Sequence, residues 1–249
     1  IRDRVNESAI FAAREQRDVL EMTDFDRARD KILMGSERRS FMMSEEERRV
    51  TAYHEAGHAL VGLLVPAHDP VYKVSIIPRG QSLGVTQFLP EGDSFSASRE
   101  KLESQISTLY GGRIAEAIVF GQSKVTTGGQ NDIERATQIA RMMVTRWGFS
   151  EKVGPLSYGF VHGDAIHGSA SEASSEQSGD AGHLIDAEVR ALITTNYERA
   201  ERLVSENLDK LHLLAEALIR QETLDRSQIE EIMQLRGPRI VQGISPIHS

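Results

Sequence analysis

His54 and His58 stand four residues apart with Glu55 between them, in the run Tyr53-His54-Glu55-Ala56-Gly57-His58. Four helical residues make just over one turn, about 6 Å of rise, so two imidazoles at this spacing share a face and converge on one ion. In such an H-E-x-x-H pattern the histidines hold Zn²⁺, one ion per chain. The glutamate between them lies too far round the helix to ligate and serves as general base toward water. Zinc lowers the pKa of a water it holds to about 7, and a nearby carboxylate can then take the proton. The chain has no cysteine, which excludes thiolate ligands and disulfides and leaves His, Asp and Glu as donors.

The pattern works only on a helix, and the flanking sequence supplies one. Ser44 followed three residues later by Glu47 reads as a capping box, and nothing stronger than an isolated glycine interrupts the segment before Pro66. A third ligand must come from downstream, and spacing does not choose it. Glu116, in Gly111-Gly112-Arg113-Ile114-Ala115-Glu116, has the character of the helical glutamate that completes many two-histidine sites. Asp132 sits at the mouth of the next helix, where a carboxylate also complements the helix dipole. His162, His167 and His183 fall in a stretch read as a mobile loop, a poor base for a rigid tetrahedral site, and His68, His212 and His248 read as surface or partly packed residues.

Around this motif the chain reads as mainly α. Val5, Ala9, Ile10 and Ala13 repeat at helical spacing, and a second helix, capped by Thr23, runs through Phe25, Ala28, Ile32 and Leu33 to Gly35. Two helices of this length cannot bury a core alone, so residues 1–35 are expected to belong to a neighbouring module, with a polar linker after them. The β-branched run Val71–Ile77 and then Gly84–Leu89 predict a hairpin or two-strand edge, the clearest β signal in the chain. Val71, Val74, Ser75 and Ile76 are its candidate substrate-binding residues, since an extended peptide can add to a strand through main-chain hydrogen bonds. A long helix follows over Ser98–Phe120. Its adjacent Gly111 and Gly112 each cost about 1 kcal/mol relative to alanine, which predicts a close packing partner. Another helix runs from Asp132 to Trp147, Val161–His183 lacks periodicity, and Leu184–Val204, Leu208–Ile219 and Arg226–Leu235 are amphipathic, the last capped by Asp225 with Gln228.

Composition narrows the function. With 249 residues, 39% hydrophobic and 27% charged, the balance is that of a soluble globular domain. A net charge of −8 without a basic cluster argues against nucleic acid as a partner. The longest apolar run, Ala59–Val65, falls far short of a membrane span, and opening on Ile1 marks the chain as an expected segment of a longer one.

Several stretches together resemble the FtsH-type ATP-dependent zinc metalloproteases: His54-Glu55-Ala56-Gly57-His58, Lys73-Val74-Ser75-Ile76-Ile77-Pro78-Arg79-Gly80, Thr127-Gly128-Gly129-Gln130-Asn131-Asp132 and Val144-Thr145-Arg146-Trp147-Gly148-Phe149-Ser150. The similarity runs from Val5 to about Gly237, departing from the family pattern over 162–183. The resemblance implies that Asp132, the aspartate of the Asn-Asp pair, is the third ligand and that Glu116 has a supporting role. It implies that 1–35 end the helical lid of an AAA ATPase module, that 36–240 form the zinc metallopeptidase domain, and that 241–249 are a flexible tail. ATP and Mg²⁺ would act only in the ATPase module, because this chain has no Gly-x-x-x-x-Gly-Lys-[Ser/Thr]. The family further implies a hexameric homo-oligomer, unfolded or membrane-extracted protein substrates, and a bacterial inner-membrane location with the peptidase on the cytoplasmic side. Two rivals remain: a non-catalytic ring-assembly module with a structural zinc, which would need a closed four-ligand site, and a free-standing zincin, which the lid remnant disfavours.

Overall fold

Capping chemistry fixes the helix that carries the histidines. The Ser44 backbone N–H and hydroxyl both donate to Glu47 Oε2 at 2.8 Å, and Glu47 N–H returns a bond to Ser44 Oγ at 3.2 Å. The computed structural model describes residues 2–38, 40–80, 82–90, 92, 96–158 and 175–234. Among them it has eight α-helices and a small three-stranded sheet: α1 Arg2–Arg14, α2 Met22–Met34, α3 Glu45–Leu64, β1 Val71–Ser75, β2 Val85–Phe88, α4 Arg99–Phe120, α5 Gln130–Thr145, α6 Ser175–Glu206, α7 Leu208–Gln221, β3 Thr223–Asp225 and α8 Arg226–Gln234. The mainly α expectation holds. The tail expected over 241–249 lies outside the described residues, as do 159–174.

The chain divides into two compact units. The first comprises 1–55, 72–87 and 207–249. Its sheet has the order β2-β1-β3, with β1 and β3 antiparallel in the register Lys73↔Asp225, Val74↔Leu224 and Ser75↔Thr223. Glu222, left-handed at φ 61°, ends α7 and turns the chain into β3. Leu211, Leu214, Leu218, Leu224 and Ile229 form its buried apolar core with Val74 and Ile76. The α1–α2 pair is tied to β1 through Asp30, which accepts from Tyr72 Oη at 2.9 Å and pairs with Lys73 Nζ at 2.5 Å. That contact gives the two short helices the support they could not supply for themselves.

The second unit comprises 56–71 and 88–206. Leu60, Val61, Ile106, Ile114 and Met143 are buried there, drawn from α3, α4 and α5. α4 starts on Ser98, whose hydroxyl accepts from Lys101 N–H, and stops at Gly121 with φ 90°. Ser107 on α4 donates to the backbone oxygen of Asn196 on α6 at 3.0 Å, a buried tie between the two longest helices.

Four expectations need correction. α6 begins at Ser175, so 175–183 are helical, where a loop was expected; 161–174 lie outside the described residues. The N-cap of α2 is Glu21 with Asp24 reaching back, not Thr23. A third strand, β3, joins the expected pair. Finally, β1 is the central strand, and Val71, Val74, Ser75 and Ile76 are buried. A strand paired on both sides has no edge to offer a peptide, so β1 itself is closed to the strand addition expected of it.

Candidate metal centre

One helix places His54, Glu55 and His58. Residues 51–62 of α3 are buried without a break, so the three polar side chains are held in a wall of apolar neighbours such as Ala52, Ala56 and Leu60. His54, Glu55 and His58 retain only 9%, 6% and 8% exposure. Buried polar groups of this kind require partners, and the structure supplies them. His58 Nδ1 lies 2.8 Å from the Thr108 carbonyl oxygen on α4, which can only accept, so Nδ1 is the donor and Nε2 is the nitrogen turned toward the site. That Nε2 lies 3.4 Å from Asp132 Oδ2. An imidazole whose far nitrogen donates to a backbone carbonyl is oriented for metal binding at the other.

The approach that makes this possible is built from glycine. α3 crosses α4 where Gly57 meets Gly111, which brings the α4 backbone within reach of His58. The close partner expected for the α4 glycines is thus the helix of the H-E-x-x-H motif itself.

Asp132 reaches the site from the first turn of α5. The turn before it is held by Glu116, a carboxylate 1% exposed that accepts from the Thr126 N–H at 2.7 Å and the Thr126 hydroxyl at 3.3 Å. Thr126 Oγ1 in turn accepts from Gly128 N–H at 3.2 Å, inside the short turn that leads into α5. Glu116 therefore anchors the segment that delivers Asp132 and is not itself among the converging donors.

One donor atom each from His54, His58 and Asp132 fall within 4.8 Å of one another, the single such group among the described residues. Tetrahedral zinc with bonds of about 2.0–2.1 Å sets its ligand atoms about 3.3 Å apart, and the His58–Asp132 separation of 3.4 Å already fits. His54 is held relative to His58 by the continuous helix. Two imidazoles and one carboxylate are a chemically suitable zinc set that leaves a fourth position for water or substrate. The other histidines are elsewhere: His68 packs edge-on against Phe88 and donates to the Asp69 carbonyl, His212 lies 2.8 Å from Tyr53 Oη, and His183 is exposed on α6. Burial holds the His68 imidazole below its ordinary pKa. His162, His167 and His248 lie outside the described residues.

Two contacts were not legible beforehand. The Thr108 acceptor is a backbone atom and has no sequence signature. Thr86, on β2, places its hydroxyl 2.6 Å from Glu55 Oε2, and its only advance signal was a polar residue at an alternate position of Gly84–Leu89.

A helix-borne pair of histidines with a glutamate between them, joined by a carboxylate from another helix, defines the zincin class of metal site. Residues 41–232 match peptidase family M41, and the chain belongs to that family. It is 54% identical over 239 residues to the ATP-dependent zinc metalloprotease FtsH of Photobacterium profundum, covering 94% of this chain and 34% of that one. The FtsH protease of Buchnera aphidicola subsp. Acyrthosiphon pisum is also 54% identical over 239 residues, with 96% and 39% covered. That of Haemophilus influenzae is 51% identical over 229 residues, with 92% and 36% covered. The chain therefore spans little more than a third of the length of these relatives.

Proposed function

We propose that this chain is the proteolytic part of an ATP-dependent zinc protease and that it hydrolyses peptide bonds in unfolded or membrane-extracted proteins. The observation that carries the proposal is the convergence of His54, His58 and Asp132 within 4.8 Å, with Glu55 in the same buried stretch of α3. The family membership and the names of the relatives support it.

In this reading His54, His58 and Asp132 hold zinc. Zinc bound there would supply Lewis acidity for the scissile carbonyl and make water acidic enough to lose a proton near neutral pH. Glu55 accepts that proton at its carboxylate and later delivers it to the leaving amine nitrogen. The substrate lies extended along β2, held by main-chain hydrogen bonds that read no side chain, an arrangement that would give broad specificity. The three-donor set favours catalysis over a structural staple, since no fourth His, Asp or Glu joins it among the described residues.

Residues 1–35 are assigned to the end of an AAA lid, and ATP with Mg²⁺ to a part of the parent protein outside this chain. The parent is a hexamer at the bacterial inner membrane, its peptidase on the cytoplasmic side; among the described residues no helix is long and apolar enough to cross a membrane. The deciding experiment is E55Q with zinc analysis and casein hydrolysis. The amide preserves shape but cannot take the proton, so the variant keeps about one zinc per chain and loses activity by about 10²–10⁴-fold. Wild-type cleavage by E55Q overturns the proposal.

A further inference from the structure

We propose that Gly84 and Thr86 are positioning residues for Glu55, holding its carboxylate in one orientation. The inference rests on the reading of Glu55 as proton acceptor. A glutamate side chain has three soft torsions, and a general base must sit within about 0.5 Å of its working position. The helix backbone alone does not fix a group that far from its Cα.

β2 supplies the missing constraint. The Thr86 hydroxyl lies 2.6 Å from Glu55 Oε2 and 3.1 Å from the Glu55 carbonyl oxygen. It has one proton, and the shorter, charge-assisted contact to the carboxylate takes it. That leaves Oε1 for proton transfer. Gly84, two residues earlier and on the same side of the extended segment, closes over this other half. A Cβ on Gly84 would stand 2.7 Å from both Glu55 Cγ and Oε1, and 2.9 Å from Cγ2 of Thr51, one helical turn before Glu55. Gly84 is not among the glycines with positive φ. The backbone there suits alanine, and what excludes a methyl group is the space taken by Glu55. Thr86 thus ties Oε2, while the bare Gly84 backbone and Thr51 limit where the Glu55 side chain can swing on the Oε1 side.

The test uses T86V, T86S and G84A in the present chain, assayed on unfolded casein, with E55Q as reference. T86V removes the donor at nearly constant shape, and G84A pushes the carboxylate aside. Both should lower kcat by about 10-fold or more, as loss of an orienting partner does, with KM and zinc content close to wild type. T86S keeps the hydroxyl and should restore most of the turnover. Crystals of metal-free G84A should show the Glu55 carboxylate displaced, a readout independent of turnover. Wild-type kcat in either T86V or G84A overturns the inference, as does a loss confined to KM, which would make β2 solely a peptide-binding strand. If E55Q itself turns over normally, the reading of Glu55 has failed; if E55Q is inactive while T86V and G84A are not, only the positioning role has.

Discussion

Gly57 and Gly111 meet backbone to backbone. A Cβ added to Gly57 would lie 2.3 Å from the Gly111 carbonyl oxygen, and one added to Gly111 would lie 2.5 Å from that of Gly57. Neither neighbour is a side chain that can swing away. The crossing explains why the residue just before His58 is glycine, and it sets the reach of His58 to Thr108.

Gly111→Ala makes the competition measurable. Alanine favours the helix by about 1 kcal/mol over glycine, whereas forcing a methyl group into a packed site costs about 1–3 kcal/mol and more against rigid backbone. The clash wins: Tm falls, and zinc affinity falls with it because Thr108 moves from His58. Thermal melts and zinc titration decide this, and an unchanged affinity would separate the crossing from the metal site.

Asp132→Ala and Glu116→Ala should rank differently. Removing Asp132 deletes a donor, so both zinc and activity are lost. Removing Glu116 leaves the Thr126 N–H without its buried acceptor, a loss of about 1–3 kcal/mol in stability, and loosens the turn before Asp132, so zinc binding weakens without disappearing. Metal analysis and melting curves on the two variants test this, and stronger zinc loss in Glu116→Ala would reverse the assignment.

The α1–α2 pair carries an acid-sensitive tie. Asp24 is buried and bonded by Arg17 at 2.6 Å and 2.8 Å, and the guanidinium, with the Glu21 N–H, holds its carboxyl down to about 2 from an ordinary 3.8. The folded value is the lower one, so the stabilisation is complete above 3.8 and drains away as pH falls toward 2. Hydrogen exchange in residues 2–34 should accelerate over that window, and Asp24→Asn should abolish the step.

Substrate addition to β2 predicts an alternating pattern. In an extended peptide successive N–H groups face opposite ways, so single N-methyl groups scanned along a cleaved peptide should raise KM at every second position. A scan without alternation would remove strand addition from the mechanism.

Where local chemistry decided structure, the sequence was readable. The Ser44–Glu47 and Asp225–Gln228 caps appear as the residues demand, the latter through Asp225 N–H to Gln228 Oε1 at 2.9 Å and Gln228 N–H to Asp225 Oδ1 at 3.0 Å. Two metal-site histidines follow from helix geometry alone, while the choice of Asp132 needed family resemblance. What escaped was decided by distant partners. Thr223-Leu224-Asp225 is too short to signal a strand and becomes one by pairing with Lys73, Val74 and Ser75, some 150 residues away. The same pairing moved β1 from edge to centre and so closed it to strand addition.

The donor set of two imidazoles and a carboxylate also governs how the centre meets oxidants. Peroxide strips zinc from thiolate sites by converting the ligand sulfur, and here there is no ligand sulfur to convert. Zinc has no redox chemistry of its own to generate damage in place. Among the described thioethers Met42 is open to oxidation at 91% exposure, while Met143 is fully enclosed on α5. Zinc held by these three residues would have no thiolate to lose under the oxidative conditions that empty cysteine-ligated sites.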